Sequence, residues 1–273
     1  MGNKLVEFLS KLTTSSKEAT SDILILQFTI VNAYLVGKPT QSDWTLVDAG
    51  LENSADFIIQ AAEERFGKEA RPQAIILTHG HFDHVGSLSK LSQHWDIPVY
   101  AHEFELPYIT GEKDYPLADP SVGGGLVAAM SPTFPHTSID IGFRANPLPS
   151  DHSVPGMPGW KWILTPGHTD GHIALFRETD GILIPGDALT TVKQESLLSV
   201  MTQSEQISGP PAYLTTDWKA AESSVDKLRD LKPSLVIPSH GQPMKGAELT
   251  RHLDMLTHHF EEIAVPEQGI FVD

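Results

Sequence analysis

Short apolar runs rich in β-branched residues alternate with amphipathic stretches along most of the chain, and this alternation limits what it can fold into. The runs at 23–36 (ILILQFTIVNAYLV), 44–48 (WTLVD), 73–78 (QAIILT), 97–101 (IPVYA), 160–164 (WKWIL), 172–177 (HIALFR), 181–185 (GILIP) and 234–238 (SLVIP) read as strands. The segments 54–66, 84–95, 217–231 and 245–263 carry apolar residues three to four apart beside polar faces, the pattern of surface helices. The class is α/β. With 273 residues and 40% hydrophobic content, the chain can bury a sizeable core in one large domain or two small ones.

Two regions break the rhythm. From Glu103 to Gly159 Pro and Gly recur, and only Leu126 to Met130 suggests a short helix. Irregular segments this long are usually functional or disordered, so residues 103–159 are expected to form a lid over a site. A second irregular stretch, Thr190 to Thr216, contains SGPPAYLTT and ends where the 217–231 helix begins.

Several function classes are disfavoured. The most apolar stretch, Ile23 to Val31, is too short to cross a bilayer and is interrupted by Gln27 and Thr29. The opening MGNKLVEFLSKLTTSS lacks the apolar segment of a secretory signal, and Val6 occupies the hydroxyl position of a myristoylation motif, so a cytoplasmic location is expected. With 19 Lys and Arg against 35 Asp and Glu the net charge is −16, which disfavours a nucleic-acid partner, since backbone phosphates are bound by releasing counterions to positive charge. There are no cysteines, so any metal must be held by imidazole and carboxylate.

The thirteen histidines are unevenly spread, and THGHFDH (Thr78 to His84) concentrates three of them. It follows a strand-like run and precedes a helical pattern, the place where ligands sit in open α/β sheets. On an extended loop His79 and His81 point to one side, with Asp83 and His84 at the helix entrance. Singly, each has a plainer reading: Asp83 as a helix cap, Gly80 as a tight turn, any one histidine as a satisfied structural group. Together they suggest a metal site. TPGHTDGH (165–172), IPGD (184–187) and PSHG (238–241) follow further strands and place His168, Asp187 and His240 at their C-terminal ends.

The order HxHxDH, TPGHTDGH, GD, SHG resembles the metallo-β-lactamase superfamily from about Val31 to Met244, with VNAYLV (31–36) and VDAG (47–50) resembling its early strands. The resemblance implies an αββα sandwich of two mixed β-sheets flanked by helices, as a single domain over 1–273. It implies that His79, His81 and His168 bind one divalent ion, that Asp83, His84 and His240 bind a second, and that Asp187 bridges both. Zinc is the expected metal, with iron or manganese as alternatives. Four positive charges less Asp83, Asp187 and hydroxide leave +1, enough to attract an anionic or carbonyl substrate. Asp48 resembles the family aspartate that orients ligands, although an aspartate there can also make a strand-end turn. His172 is expected to pack or hydrogen-bond rather than ligate.

Within the superfamily the departures discriminate. β-Lactamases usually carry Cys or Ser where Asp187 stands, and the redox di-iron branch carries Glu where His81 stands. Ribonuclease relatives share HxHxDH but act on RNA, for which this acidic chain offers no basic surface. Mononuclear iron persulfide dioxygenases share the TPGHTDG element and remain an alternative, as do phosphodiesterases and β-lactamase-like hydrolases. The expected function is hydrolysis of a small lactone, ester or thioester by a bridging hydroxide, with Asp83 moving the proton and Tyr213 as candidate oxyanion donor. Tyr213 has an equal alternative as an aromatic packed against the lid. Phe82, Leu126, Met130, Phe134 and Met157 are candidates for an apolar acyl pocket. The oligomeric state is open.

Overall fold

The apolar runs are assembled into two mixed sheets in a computed structural model that describes residues 14–123, 126–192 and 207–272. The chain divides into two compact units, Met1–Tyr115 with Pro135–Gly159 and Pro116–Phe134 with Trp160–Asp273. Among the described residues no helix is long and apolar enough to cross a membrane.

The first unit holds a seven-stranded sheet of β1 (Ser15–Thr20), β2 (Ile23–Gln27), β3 (Asn32–Val36), β4 (Thr45–Val47), β5 (Ile75–Ile76), β6 (Val99–Ala101) and β7 (Ala145–Pro147) in spatial order. Strands β1 to β4 pair antiparallel, and β4 to β7 pair parallel. Strand β3 is buried at every residue, which explains the unbroken apolar run AYLV that follows Asn32. Helices α1 (Ala55–Phe66), α2 (Phe82–Val85), α3 (Leu88–Trp95) and α4 (Leu106–Ile109) complete the unit. Trp44, fully buried, stacks on Phe66 of α1 at 4.5 Å and meets Trp95 of α3 edge-on at 5.6 Å. One indole therefore anchors both helices, and its burial contributes roughly 3 kcal/mol.

The second unit holds a five-stranded sheet ordered β12–β11–β10–β9–β8, from β8 (Trp160–Leu164), β9 (Ile173–Arg177), β10 (Ile182–Ile184), β11 (Leu235–Val236) and β12 (Met244–Lys245). Only β10 and β11 pair parallel. Helix α5 (Leu126–Met130) is the short helix expected from the sequence, followed by α6 (Trp218–Asp230), α7 (Gly246–His258) and α8 (Phe260–Ile263). Helix α6 starts where Asp217 accepts the N–H of Ala220 at 2.9 Å, a side-chain cap.

Some elements differ from expectation. The run 23–36 is a hairpin, turning where Phe28 N–H donates to Val31 O, because unbroken apolarity hides a tight turn. The 84–95 helix is two helices parted at Gly86, where a Cβ would meet the Glu52 nitrogen at 2.3 Å. The 245–263 helix breaks at His259. Strand β1 escapes a hydrophobic reading because this edge strand is largely exposed and polar. The 103–159 segment carries α4, α5, β7 and two single-turn 3-10 helices, with residues 124 and 125 outside the described residues, as is most of 190–216 between 193 and 206.

Candidate metal centre

In the first unit THGHFDH leaves the carboxyl end of β5, which lies between parallel neighbours β4 and β6, and runs into α2. Thr78, His79 and His84 have no exposed surface, and His81 and Asp83 are buried. The His79 ring centroid lies 4.7 Å from that of His81 and 4.1 Å from that of His84. His79 and His81 present ligand atoms within 4.8 Å of one another, as do His79 with His84 and Asp83 with His84. His81 occupies the N-cap position of α2, so Asp83 sits inside the first turn rather than capping it.

Asp48 and Thr78 orient these rings. Asp48 Oδ1 accepts the Thr78 N–H at 2.8 Å, and Oδ2 accepts both the Thr78 hydroxyl at 2.9 Å and His84 Nδ1 at 2.9 Å. A carboxylate partner assigns the proton of a neutral His84 to Nδ1 and leaves the Nε2 lone pair as donor to a metal. The Thr78 hydroxyl spends its proton on Asp48, so toward His79 Nδ1, 3.1 Å away, it is an acceptor. That assigns the same tautomer to His79. Asp48 therefore holds Thr78 and the His84 ring in place rather than only making a strand-end turn.

In the second unit the remaining motif residues end strands or leave them. His168 lies on the loop between β8 and β9, whose Gly167 takes φ +129° and approaches α6 so closely that a Cβ would meet the Ala221 nitrogen at 2.3 Å. Gly167 O also accepts the N–H groups of Thr216 and Asp217, fixing the loop to the helix start. Asp187 follows β10, and its N–H donates to His172 Nε2 at 2.8 Å. With Nε2 accepting from Asp187, His172 Nδ1 carries the proton and faces the Thr165 hydroxyl at 2.8 Å and Thr165 O at 3.1 Å, so both ring nitrogens of His172 have hydrogen-bond partners within this unit. His240 follows β11, with its carbonyl held by Thr191 N–H at 3.0 Å.

Two imidazoles of this unit converge on one carboxylate oxygen. Asp187 Oδ2 lies 3.1 Å from His240 Nε2 and 3.4 Å from His168 Nε2, and all three residues are buried. Thr215 donates its hydroxyl proton to Pro211 O at 2.9 Å, so it accepts from His168 Nδ1 at 3.1 Å and assigns the His168 lone pair to Nε2. A lone pair facing a carboxylate oxygen in a buried site is repulsive. A shared cation, or an extra proton, makes the contact favourable. The donor set therefore fits a divalent ion of the kind held by imidazole and carboxylate.

Tyr213 is buried with its ring edge-on to Phe134 at 5.7 Å, and its carbonyl accepts the Asp119 N–H at 2.8 Å. Met157 is buried among the core residues of the first unit, Phe82 and Met130 are half-buried, and the Leu126 side chain lies outside the described residues. Sequence reading missed Thr215 as the partner of His168, and Glu105 and Tyr115 beside Gly80. Attending to every strand end would have found Glu105, since β6 also ends in a chemistry-bearing stretch, AHEFE.

Residues 26–240 match the model of the Metallo-beta-lactamase superfamily. A probable metallo-hydrolase of Bacillus subtilis, YflN, is 44% identical over 247 residues, covering 90% of this chain and 94% of its own. The crystal structure of BLEG-1 B3 metallo-beta-lactamase aligns with a TM-score of 0.58 at 23% identity, covering 83% of this chain and 94% of that one, a likeness of fold. More distantly, the hydroxyacylglutathione hydrolase GloC of Haemophilus influenzae is 26% identical over 146 residues, 53% of this chain and 60% of its own. Two mixed sheets with flanking helices, a buried His and Asp set at their strand ends and this match over most of the chain lead to one conclusion: the protein belongs to the metallo-β-lactamase superfamily.

Proposed function

We propose that this metal-dependent hydrolase cleaves a small lactone, ester or thioester with two zinc ions, one held by His79, His81 and His168, the other by Asp83, His84 and His240, with Asp187 shared. The observation that carries the reading is the convergence of His168 Nε2 and His240 Nε2 on Asp187 Oδ2, the arrangement expected of a carboxylate that serves two ions. When bound, such ions supply an activated water and polarise the substrate carbonyl. Within the chain, Asp48, Thr78 and Thr215 hold the imidazoles in the ligating tautomer. Asp83, with Oδ1 4.0 Å from His84 Nε2, holds the proton taken from water and passes it to the leaving group. The Tyr213 hydroxyl donates to the carbonyl oxygen as charge develops there. The 103–159 segment contributes the lid and substrate pocket of a single catalytic domain.

An acyl rather than phosphoryl substrate is favoured by the placement of positive charge. No Lys or Arg lies within the four motifs. In the 103–159 segment, Arg144 pairs with Asp96 at 2.9 Å and Lys113 lies over the Tyr108 ring at 5.1 Å. A phosphodiester centre normally recruits cationic clamps. The name of the GloC relative is in keeping with an acyl substrate.

The test is a panel of lactones, thioesters, β-lactams and phosphodiesters presented to metal-analysed protein. Catalytic efficiency on the best lactone, ester or thioester is expected to exceed that on phosphodiesters by about 100-fold, a barrier difference of roughly 2.7 kcal/mol. Equal or greater phosphodiesterase activity at the same metal loading overturns the assignment.

A further inference from the structure

Beyond β6 the chain turns through His102 to Glu105 and enters α4. Glu105 stands at the N-cap of that helix and is fully buried, yet its side chain makes no capping bond. Its Oε2 instead accepts the N–H of Gly80 at 2.9 Å and the hydroxyl of Tyr115. Tyr115 Oη accepts the same Gly80 N–H at 3.0 Å, so amide, phenol and carboxylate close a ring of hydrogen bonds. A carboxylate taken out of water is costly unless such donors satisfy it. A helix this short needs no buried carboxylate to form.

Tyr115 is itself held in place. Its ring stacks on Tyr108 at 3.8 Å with the planes 7° apart, and its N–H donates to His136 O at 3.0 Å. The same ring lies 4.4 Å from that of His81. Burial, reinforced by the neighbouring Glu105 carboxylate, pushes the Tyr115 hydroxyl well above its ordinary range. Glycine is required at 80 by close approach: a Cβ there would lie 2.7 Å from Tyr115 Oη and 3.5 Å from Glu105 Oε2.

We propose that Glu105 and Tyr115 are positioning residues of the metal centre, clamping the Gly80 amide and thereby fixing the backbone that separates His79 from His81. The inference rests on the proposal that His79 and His81 are metal ligands. Those two rings hang from the residues on either side of the clamped amide, so a shift of that peptide moves both donor atoms at once. Residues behind the ligands typically change metal affinity 10- to 100-fold when removed.

The experiment uses the whole chain and two readouts. Amide hydrogen exchange of the metal-free protein reports the clamp itself, and titration with Co2+, followed by its visible spectrum, reports the ligand geometry. Glu105→Ala is expected to speed exchange at Gly80 at least ~10-fold, to weaken Co2+ affinity by about 10- to 100-fold and to alter the cobalt spectrum. Glu105→Gln keeps an acceptor oxygen and is expected to recover most of both. Tyr115→Phe, which retains the stacked ring, should lie between them and covers the case in which Glu105→Ala does not fold. Faster Gly80 exchange with unchanged cobalt affinity and spectrum would make the clamp merely structural and overturn the proposal, as would unchanged exchange. Failure of the ligand reading looks different: the wild-type chain would then take up no cobalt, whatever its Gly80 exchange.

Discussion

Asp48 Oδ2 lies 2.9 Å from His84 Nδ1, joining the end of β4 to a side chain 36 residues further along the chain. To make this contact Asp48 adopts φ +59°, in the left-handed region that costs a non-glycine residue about 1–2 kcal/mol. The strain is retained because from there one carboxylate meets the Thr78 N–H, the Thr78 hydroxyl and His84 together. It is the keystone of the THGHFDH loop in the first unit.

Replacing it separates its two duties. Asp48→Ala leaves buried donors without an acceptor and is expected to cost about 1–3 kcal/mol in urea unfolding of the metal-free protein. It should also weaken metal binding by about 10- to 100-fold. Asp48→Asn should cost less stability, since its Oδ1 still accepts from Thr78. Its amide N–H2 facing His84 Nδ1 favours the wrong imidazole tautomer, so metal affinity should fall nearly as far. Equal affinities for Asp48→Asn and wild type, in a metal titration, would remove Asp48 from the site.

The same logic applies to His168 through Thr215, whose hydroxyl is spent on Pro211 O. Thr215→Val keeps the shape but offers His168 Nδ1 no acceptor, and about 10-fold weaker metal binding is expected. Thr215→Ser should behave as wild type. If Val and Ser bind metal alike in competition with a chelator, the tautomer of His168 is set by something else.

The candidate ligands were legible because each sits in a short motif that follows an apolar run, and such placement survives errors of two or three residues in strand limits. WKWIL is a strand over Trp160–Leu164 as read, and IALFR and ILI are strands inside the runs that predicted them. The supports were not legible. Thr215 and Glu105 act at long range in sequence, 47 residues from His168 and 25 from Gly80; the strand-end stretch AHEFE flags Glu105 as a residue of interest but not its partner, and nothing local marks Thr215 at all. The hairpin at 28–31 and the polar edge strand β1 were hidden for opposite reasons, one by apolarity that continues through a turn, the other by polarity that continues along a strand.

Metal stoichiometry tests the paired reading directly. Two ions per chain at saturation are expected from elemental analysis of reconstituted protein, because one carboxylate oxygen of Asp187 faces two imidazoles. His84→Ala and His240→Ala should each lower occupancy toward one ion rather than zero. Saturation of the wild type at one ion would favour a mononuclear centre.

Acid stability should report Asp119, whose carboxylate ties the C-terminal stretch to the segment that leads into α5. Burial pushes its carboxyl up, but hydrogen bonds from the Ser121 hydroxyl and the Ile270 and Ser121 N–H groups outweigh this and hold it below the ordinary value. A lowered folded pKa contributes stability above the unfolded value of about 3.9 and loses it as pH falls through the folded value. Asp119→Asn should therefore be less stable than wild type at neutral pH, and the gap should close as the pH is taken toward 3. A gap in melting temperature that stays constant from pH 7 to 3 would show that the carboxylate charge contributes nothing.

Tyr213 has two possible duties, and one substitution tells them apart. Its ring is buried edge-on against Phe134, while its hydroxyl is the group proposed to meet the carbonyl oxygen. Tyr213→Phe removes only the hydroxyl and leaves the ring contact, so melting temperature and metal content should stay close to wild type. If the hydroxyl stabilises developing negative charge, kcat on the best acyl substrate should fall by about 100-fold, roughly 2.7 kcal/mol, the usual cost of losing one such donor. KM should change little, because the interaction strengthens only as the oxygen gains charge. Phe134→Ala supplies the contrast: it removes the ring contact and should lower stability, by about 3–5 kcal/mol if the site cannot collapse, before it affects kcat. An unchanged kcat in Tyr213→Phe would leave Tyr213 as a packing residue of the second unit and move the oxyanion donor elsewhere.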